Sequence, residues 1–196
     1  KGLRDRAHHV EIIKPSVDRH NELTESFDGF TPAIFPHWSP PVPYVRNYFK
    51  NELLYKRLTR HFRQVIREMN IDIVHAQHRL TGPPSIAAAN HEGIPSVCTI
   101  RDYWPVCYWS DLIVTPDSEA LCPSCTVSTM TRCVRPRAGA LWPLTIPMIP
   151  YMRSNLARKR TALSRATAVI AVSSAIAMDL KVRAPELGET EVQTIP

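Results

Sequence analysis

Three short runs of aliphatic and β-branched residues constrain the fold of this chain more than any other feature of its sequence. They occupy residues 71–76 (IDIVHA), 95–100 (PSVCTI) and 167–172 (TAVIAV). None of them alternates strictly between apolar and polar residues, which predicts strands that are buried on both faces. Helical patterns separate these strands. The sequence therefore predicts an α/β fold of Rossmann-like type, with a parallel sheet covered by helices on both faces.

The helical segments are marked by apolar residues at intervals of three and four and by capping residues. Asn51 and Ser173 are predicted N-caps, and Gly93 is a predicted left-handed C-cap. The five prolines between Pro32 and Pro43 predict an extended loop instead. Two further strands are expected, one in a run that ends at Ile13 and one at residues 192–195. The predicted helices are residues 51–69, 83–92, 151–166 and 173–183.

Polar residues follow the predicted strands at the positions where such sheets bind ligands. In doubly wound sheets, ligands bind beyond the carboxyl ends of the strands. Residues 75–80, 101–107 and 173–174 lie at these ends. The segment TIRDYWPVC leaves a central strand through Arg101 and Asp102, so we expect these two side chains to face a crevice.

Four of the five cysteines lie in one stretch after this strand, residues 105–137, which we call the cysteine segment. The fifth, Cys98, falls inside a predicted strand and is expected to be a core residue. One CxxC pair among the four allows a tetrahedral zinc site, but a second pair is missing. The alternatives to zinc binding are free thiols, two disulfides and a redox-active CxxC. Redox activity is disfavoured because a redox CxxC normally begins a helix, and no helix is predicted at this pair. The four are Cys107, Cys122, Cys125 and Cys133.

The charge of the chain narrows its partners only slightly. It carries 24 basic and 18 acidic residues, a net charge of +6. A zinc-stabilised basic module that binds nucleic acid is therefore an alternative function, but the basic residues are dispersed and no recognition motif is present. The densest basic cluster, residues 153–165, is expected to be a solvated helix face.

No segment predicts a membrane span, because Pro143, Pro147 and Pro150 interrupt the most apolar one, residues 138–152. No apolar segment follows the charged residues 1–6, which predicts a cytoplasmic protein without a secretory signal. Residues 141–152 (LWPLTIPMIPYM) could still contact an anionic membrane peripherally, although packing against the domain is the simpler expectation.

Several motifs together resemble the N-terminal domain of family 4 glycosyltransferases, which have the two-domain GT-B architecture. RDRAHHVEII, IDIVHAQH, GIPSVCTIRDYWPVC, ATAVIAVSSAI and VQTIP are similar to this family's RRGHEV, DIVHAHH, GIPVVVTLHDYWPVC, ADAVIAVSEAI and VIPNG motifs, in the same order. The resemblance spans nearly the whole chain and implies a single Rossmann-like domain over residues 1–196, truncated at both ends. Some members of the family carry similar scattered cysteines.

The resemblance implies transfer of a sugar from a nucleotide-sugar donor with retention of anomeric configuration. This half of the enzyme would hold the acceptor, a sugar, a glycan or a lipid-linked molecule. The donor would be bound mainly by a C-terminal domain with an E-x7-E motif, which is absent here, so residues 1–196 alone are expected to be inactive. A first strand is expected before Lys1, because without it two strand edges would be unpaired.

The resemblance also assigns roles to residues at the strand ends. Arg101 stands where the family usually has histidine, and arginine cannot act as a base, so an anion-binding role is implied. Asp102 would orient a neighbour or contact acceptor hydroxyls; a surface pair with Arg101 is the alternative. Trp104 could stack on a sugar ring or anchor the loop on the core. The residues that the resemblance implies as acceptor-binding could likewise serve only the structure, as hydrogen-bonding, anchoring or capping groups. These residues are His75, His78, Tyr103 and Ser173.

Overall fold

The computed structural model describes residues 2–17, 29–115, 121–188 and 190–195. The chain divides into two compact units, Lys1–Leu54 and Tyr55–Pro196. The expectations for Lys1, for Pro196 and for residues 116–120 of the cysteine segment lie outside the described residues. The strands are β1 (Ile13–Ser16), β2 (Ala33–Pro36), β3 (Val74–Ala76), β4 (Ser96–Ile100), β5 (Ala168–Ala171) and β6 (Val192–Thr194). The helices are α1 (Pro43–Phe49), α2 (Tyr55–Glu68), α3 (Gly82–Glu92), α4 (Val127–Ala138), α5 (Trp142–Thr145), α6 (Ile149–Leu163) and α7 (Ser174–Arg183).

The first unit differs from its sequence prediction in three places. The strand begins at Ile13 instead of ending there, and it pairs in parallel with β2. The proline-rich segment contains β2 and the start of α1, because prolines are tolerated at a strand end and in a first helical turn. Asn51 is not an N-cap, since it lies inside a π-helical turn, Lys50–Leu54.

The second unit contains a four-stranded, fully parallel sheet in the order β3-β4-β5-β6. Ile100, Ala171 and Thr194 are level in register, so β4, β5 and β6 end at one edge. The described strands thus form two sheets, one in each unit. The α/β class with parallel sheets packed by helices is confirmed.

Local sequence signals locate most elements of the second unit within one to three residues. Gly93 ends α3 with φ of 71°, as its capping position predicts, because glycine adopts this conformation without steric strain. The Ser173 hydroxyl accepts a hydrogen bond from the Ile176 amide and caps α7. The core between sheet and helices is apolar and includes Cys98, which is fully buried as expected.

The cysteine segment contains more regular structure than predicted. A 12-residue helix, α4, begins at Val127, where Thr126 and Thr129 form a reciprocal capping box. Met130 and Val134 of this helix bury their side chains with Tyr108 and with residues of α6. The prediction that no helix lies near the CxxC pair is therefore wrong. The buried side chains of Met130 and Val134 attach the segment to the core. Hydroxyl caps without an acidic partner and a proline inside the helix, Pro136, explain why the pattern was missed.

The basic cluster on α6 is not a uniformly solvated face, which corrects another expectation. Arg153, Arg158 and Arg165 are exposed, but Lys159 is buried and Arg160 pairs with Glu186 at 2.6 Å. Among the described residues, no helix has both the length and the apolar character that crossing a membrane requires.

Candidate functional site

The exit of β4 places two charged residues beyond the end of a strand with neighbours on both sides. Arg101 is exposed and forms no hydrogen bond or ion pair with any residue of the described ranges. Asp102 is half-buried, and its Oδ1 accepts a hydrogen bond from the Trp104 amide at 2.8 Å. This bond fixes the turn and leaves the second carboxylate oxygen, Oδ2, without a hydrogen bond to a described residue. The alternative, a surface ion pair between Arg101 and Asp102, does not form in the structure.

Trp104 anchors this loop on the core. Its side chain is 1% exposed and packs against the first turn of α3, where a Cβ on Gly82 would lie 3.4 Å from the indole. Such a Cβ would be in ordinary van der Waals contact with the ring, so the indole packs directly against the α3 backbone. Tyr103 is half-buried against the same core, and its carbonyl accepts bonds from the Val106 and Cys107 amides. Trp104 thus follows the anchoring alternative, and sugar contact by Tyr103 stays a prediction.

The two histidines occupy different positions around β3. His75 lies inside the strand, not at its exit, and its Nε2 is 2.8 Å from the Thr99 hydroxyl on β4. Partial burial lowers the pKa of His75. His78 follows the strand, where its Nδ1 accepts a hydrogen bond from the Leu80 amide. Both rings therefore have structural partners, and acceptor binding by either remains a prediction.

Ser173 lies at the exit of β5 and combines its capping bond with a half-exposed position. The hydroxyl oxygen accepts from Ile176, but its proton can still be donated to a ligand. The exits of β4 and β5 are adjacent because these strands pair in register, which brings Arg101 and Ser173 to one edge.

Lys159 is the residue that sequence reasoning missed. It projects from α6, is only 7% exposed, and places its ammonium 5.7 Å from the centre of the Tyr108 ring. It forms no hydrogen bond or ion pair with a described residue. Burial, with the charges of Arg79 and Arg158, lowers the pKa of Lys159 to about 7, whereas Asp102 and Cys107 act in the opposite direction. Helical periodicity could have signalled its position, since Asn155 and Lys159 fall on the buried stripe of α6.

The four cysteines of the cysteine segment come together around one small cavity. This cavity has a volume of about 20 Å³ and is lined by all four, together with aromatic and aliphatic side chains. Cys107 and Cys122 are buried, and Cys125 and Cys133 are half-buried. The fold thus brings Cys107 and Cys133 to the same cavity although they lie far apart in the sequence.

Each of three thiols makes a weak contact with an oxygen atom. Cys107 Sγ lies 3.8 Å from Asp111 Oδ1, Cys122 Sγ 3.4 Å from the Ser124 carbonyl, and Cys133 Sγ 3.7 Å from the Ile113 carbonyl. All five cysteines are free. Within the described residues, no three cysteine, histidine or acidic side chains are already placed to hold a metal ion.

Two arginines hold the backbone of this region. The Arg137 guanidinium donates to the Ile113 carbonyl and to Cys133 Sγ, and forms an ion pair with Asp111 at 2.8 Å. Burial raises the pKa of Cys125 to about 11 and that of Cys133 to about 12, with the charge of Arg137 opposing the second shift. Arg183 of α7 donates hydrogen bonds to the carbonyls of Cys122 and Pro123, which belong to the CxxC sequence.

These features define an α/β domain whose polar residues gather at the carboxyl ends of parallel strands. The sequence profile of Glycosyltransferase Family 4 matches residues 1–196. The chain therefore belongs to this family, a glycosyltransferase family, and its domain is of the GT-B type. A comparison with curated proteins gives no match.

Proposed function

We propose that this domain forms the acceptor side of a retaining glycosyltransferase that uses a nucleotide-sugar donor. The family assignment supports transfer of a sugar in general. In this proposal a C-terminal domain binds most of the donor, so residues 1–196 alone transfer no sugar. A hexose is the proposed transferred group, and polysaccharide biosynthesis in the cytoplasm the proposed setting.

The observation that carries the proposal is the free charge at the exit of β4. Arg101 is exposed and without a partner among the described residues, although it directly follows a strand buried at its alternate residues. A guanidinium in this position suits a phosphate or carboxylate, which it can bind with two parallel hydrogen bonds. Arg101 therefore binds an anionic group of donor or acceptor in this proposal.

Asp102 has a complementary role. One of its oxygens is used by the Trp104 amide, so the carboxylate is held in a fixed orientation. The remaining oxygen can accept a hydrogen bond from a hydroxyl group of an acceptor sugar. Asp102 also lies within electrostatic range of Lys159, and its carboxylate favours the charged form of that lysine. Further acceptor contacts are proposed from one residue inside β3 and from three residues that follow strands: His75, and His78, Tyr103 and Ser173.

A lipid-linked acceptor would bring this domain to a membrane surface. Leu141, Leu144 and Ile146 are exposed at 65%, 74% and 41%, whereas Ile149 and Met152 of the same stretch are buried. The stretch therefore divides into a packed half and an apolar, solvent-facing half. We include peripheral contact through the second half in the proposal.

The test measures release of nucleoside diphosphate by the full-length enzyme from UDP-sugars and GDP-sugars, with a lipid extract of the source cells as acceptor. Asp102→Asn keeps an oxygen for the Trp104 amide but removes the charge. Arg101→Ala removes the proposed anion contact. Each should reduce transfer about 10- to 100-fold, the value of one charged hydrogen bond in the site.

Arg153→Ala is the matched control, since this exposed arginine has no partner in the described ranges. Its transfer rate should stay within about twofold of the unmodified enzyme. Equal rates in all four proteins would refute the assigned roles of Arg101 and Asp102. Failure of every nucleotide sugar to react, with the fold intact by circular dichroism, would refute the proposed function itself.

A further inference from the structure

We propose that Cys107, Cys122, Cys125 and Cys133 form a structural zinc site that holds the cysteine segment in place. Nothing in this inference depends on the sugar-transfer reaction. Four thiolates suit Zn²⁺, which prefers tetrahedral sulfur coordination in structural sites.

The first observation is convergence from three separate pieces of chain. Cys107 comes from the loop after β4, Cys122 and Cys125 from the irregular stretch before α4, and Cys133 from the second turn of α4. The fold brings all of them to the wall of one cavity of about 20 Å³. A space of this size accommodates about one water-sized particle.

The second observation is the character of the other cavity walls. They are mostly aromatic and aliphatic or thioether side chains, including Tyr108, Trp109, Ile113, Met130 and Met152. A water molecule would find few hydrogen-bonding partners among these walls, because it needs about two to four polar groups. A soft thiolate site for a borderline-soft metal ion fits them better.

The third observation is a group of cations around the sulfur atoms. The Arg137 guanidinium donates to Cys133 Sγ at 3.0 Å, and the Lys159 ammonium lies 5.7 Å from the centre of the Tyr108 ring, which lines the same cavity. Zinc with four thiolates carries a net charge of about −2, which nearby cations and N–H···S bonds stabilise. Lys159 is notable here because it is buried without an acidic partner within ion-pair distance among the described residues.

The nearby acidic groups do not cancel this arrangement. Asp111 is paired with Arg137, and Glu186 with Arg160. Asp102, which acts on Lys159, is oriented by the Trp104 amide. Within the described residues, Lys159 is thus a buried basic group close to the cavity that has no acidic partner within ion-pair distance.

Formation of the site requires the sulfur atoms to move inward. Three of the four thiols contact carbonyl or carboxylate oxygens at 3.4–3.8 Å, and no three potential ligands are yet placed for an ion within the described part of the chain. Zinc–sulfur bonds of about 2.3 Å would replace these weak contacts. Binding would release about four protons to the solvent, because the thiols must ionise.

The test determines the zinc content of the full-length protein, purified under reducing conditions from cells supplied with zinc, by mass spectrometry of the metal. We expect about one zinc ion per chain. Cys125→Ser should retain less than about a fifth of that amount, because one of four ligands is lost. Cys98→Ala is the matched control, since Cys98 is buried in β4 outside this cavity, and should retain the full amount.

A second measurement uses the unmodified protein and so does not depend on the folding of a variant. Cobalt is exchanged into the protein, and the visible absorption of tetrahedral cobalt–thiolate bonding should appear. Absence of both zinc and this absorption would overturn the proposal. Titration showing five free thiols, or a mass showing two disulfides, in freshly purified protein would also overturn it.

Discussion

The four-stranded sheet and the cysteine segment satisfy their backbone groups in different ways. In the sheet, β4 pairs on both sides with parallel neighbours, and Cys98 and Ile100 are fully buried. In the cysteine segment outside α4, side chains add to a few backbone bonds such as that from the Cys122 amide to the Leu112 carbonyl: Arg183 donates to the carbonyls of Cys122 and Pro123, and Arg137 donates to that of Ile113. Backbone pairing follows from local apolar patterns, whereas arginine contacts depend on partners far along the chain.

This comparison teaches where substitutions should act. In the sheet, the loss of apolar volume is expected to dominate, because buried groups there are tightly packed. In the cysteine segment, loss of a single guanidinium should expose several unsatisfied carbonyls at once. The first two predictions below test this difference, and the third concerns ion pairs between α2 and α3. They run from the largest expected effect to the smallest.

The largest effect is expected from Trp104→Ala. Trp104 is 1% exposed and joins the exit of β4 to the first turn of α3. Its removal should lower the free energy of unfolding by about 3–5 kcal/mol, measured by urea denaturation followed by circular dichroism. Trp38→Ala is the control, because Trp38 is 64% exposed and should change stability by less than about 1 kcal/mol. Equal losses in both variants would mean that Trp104 does not anchor this loop.

An intermediate effect is expected from Arg183→Ala. The guanidinium lies 2.6 Å from the Cys122 carbonyl and forms an ion pair with Asp179 at 2.7 Å. Removing it should lower the free energy of unfolding by about 1–3 kcal/mol, measured in urea, because partly buried acceptors lose their donor. Arg153→Ala should stay within about 0.5 kcal/mol of the unmodified protein. A similarly small change for Arg183→Ala would contradict the view that its hydrogen bonds to the Cys122 and Pro123 carbonyls stabilise the fold.

The smallest effect is expected from Glu92, whose carboxylate receives bonds from Arg63 at 2.6 Å and from Arg67 at 2.7 Å. These bonds, with Arg67 contributing most, lower the pKa of Glu92 to about 2. Its stabilising contribution is present above the ordinary pKa of 4.5 and is lost as the pH falls from there through about 2. Because Arg67 is 61% exposed, salt should weaken the effect.

Thermal unfolding of Glu92→Gln between pH 7 and pH 2 measures this contribution. The variant should be less stable than the unmodified protein at neutral pH, and the gap should close at the acid end. Glu68→Gln is the control, since Glu68 bonds neutral Gln64 and should differ by less than about 0.5 kcal/mol at neutral pH. A gap that stays constant across the titration would show that Glu92 is not stabilised as a carboxylate.

Much of the second unit could be predicted from short stretches of sequence. The runs IDIVHA, PSVCTI and TAVIAV gave β3, β4 and β5, and Gly93 and Ser173 marked the helix ends they were expected to mark. These signals operate over a few residues, so no knowledge of the fold was needed. The exit of β4, with Arg101 and Asp102, was located by the same reasoning.

The candidate sites were predicted less completely. His75 was expected at a strand exit, but β3 includes it and Thr99 bonds it across the sheet. Lys159 belongs to the cluster that the sequence predicts to be solvated, because lysine in a basic run is usually exposed, yet its side chain is buried. Its burial depends on Tyr108, which reaches it from a distant part of the sequence.

The sequence by itself determined the alternation of strands and helices, the parallel class of sheet and the membership of the family. The first two features depend on hydrophobic periodicity and caps, which are properties of neighbouring residues. Membership of the family rests on the match of its sequence profile over residues 1–196. Only the tertiary structure decided that four cysteines line one cavity, that Arg183 bonds the Cys122 carbonyl, and that Lys159 is buried near Tyr108 of the same cavity. These contacts join residues up to 61 positions apart, and their free energy arises only when the whole core has packed.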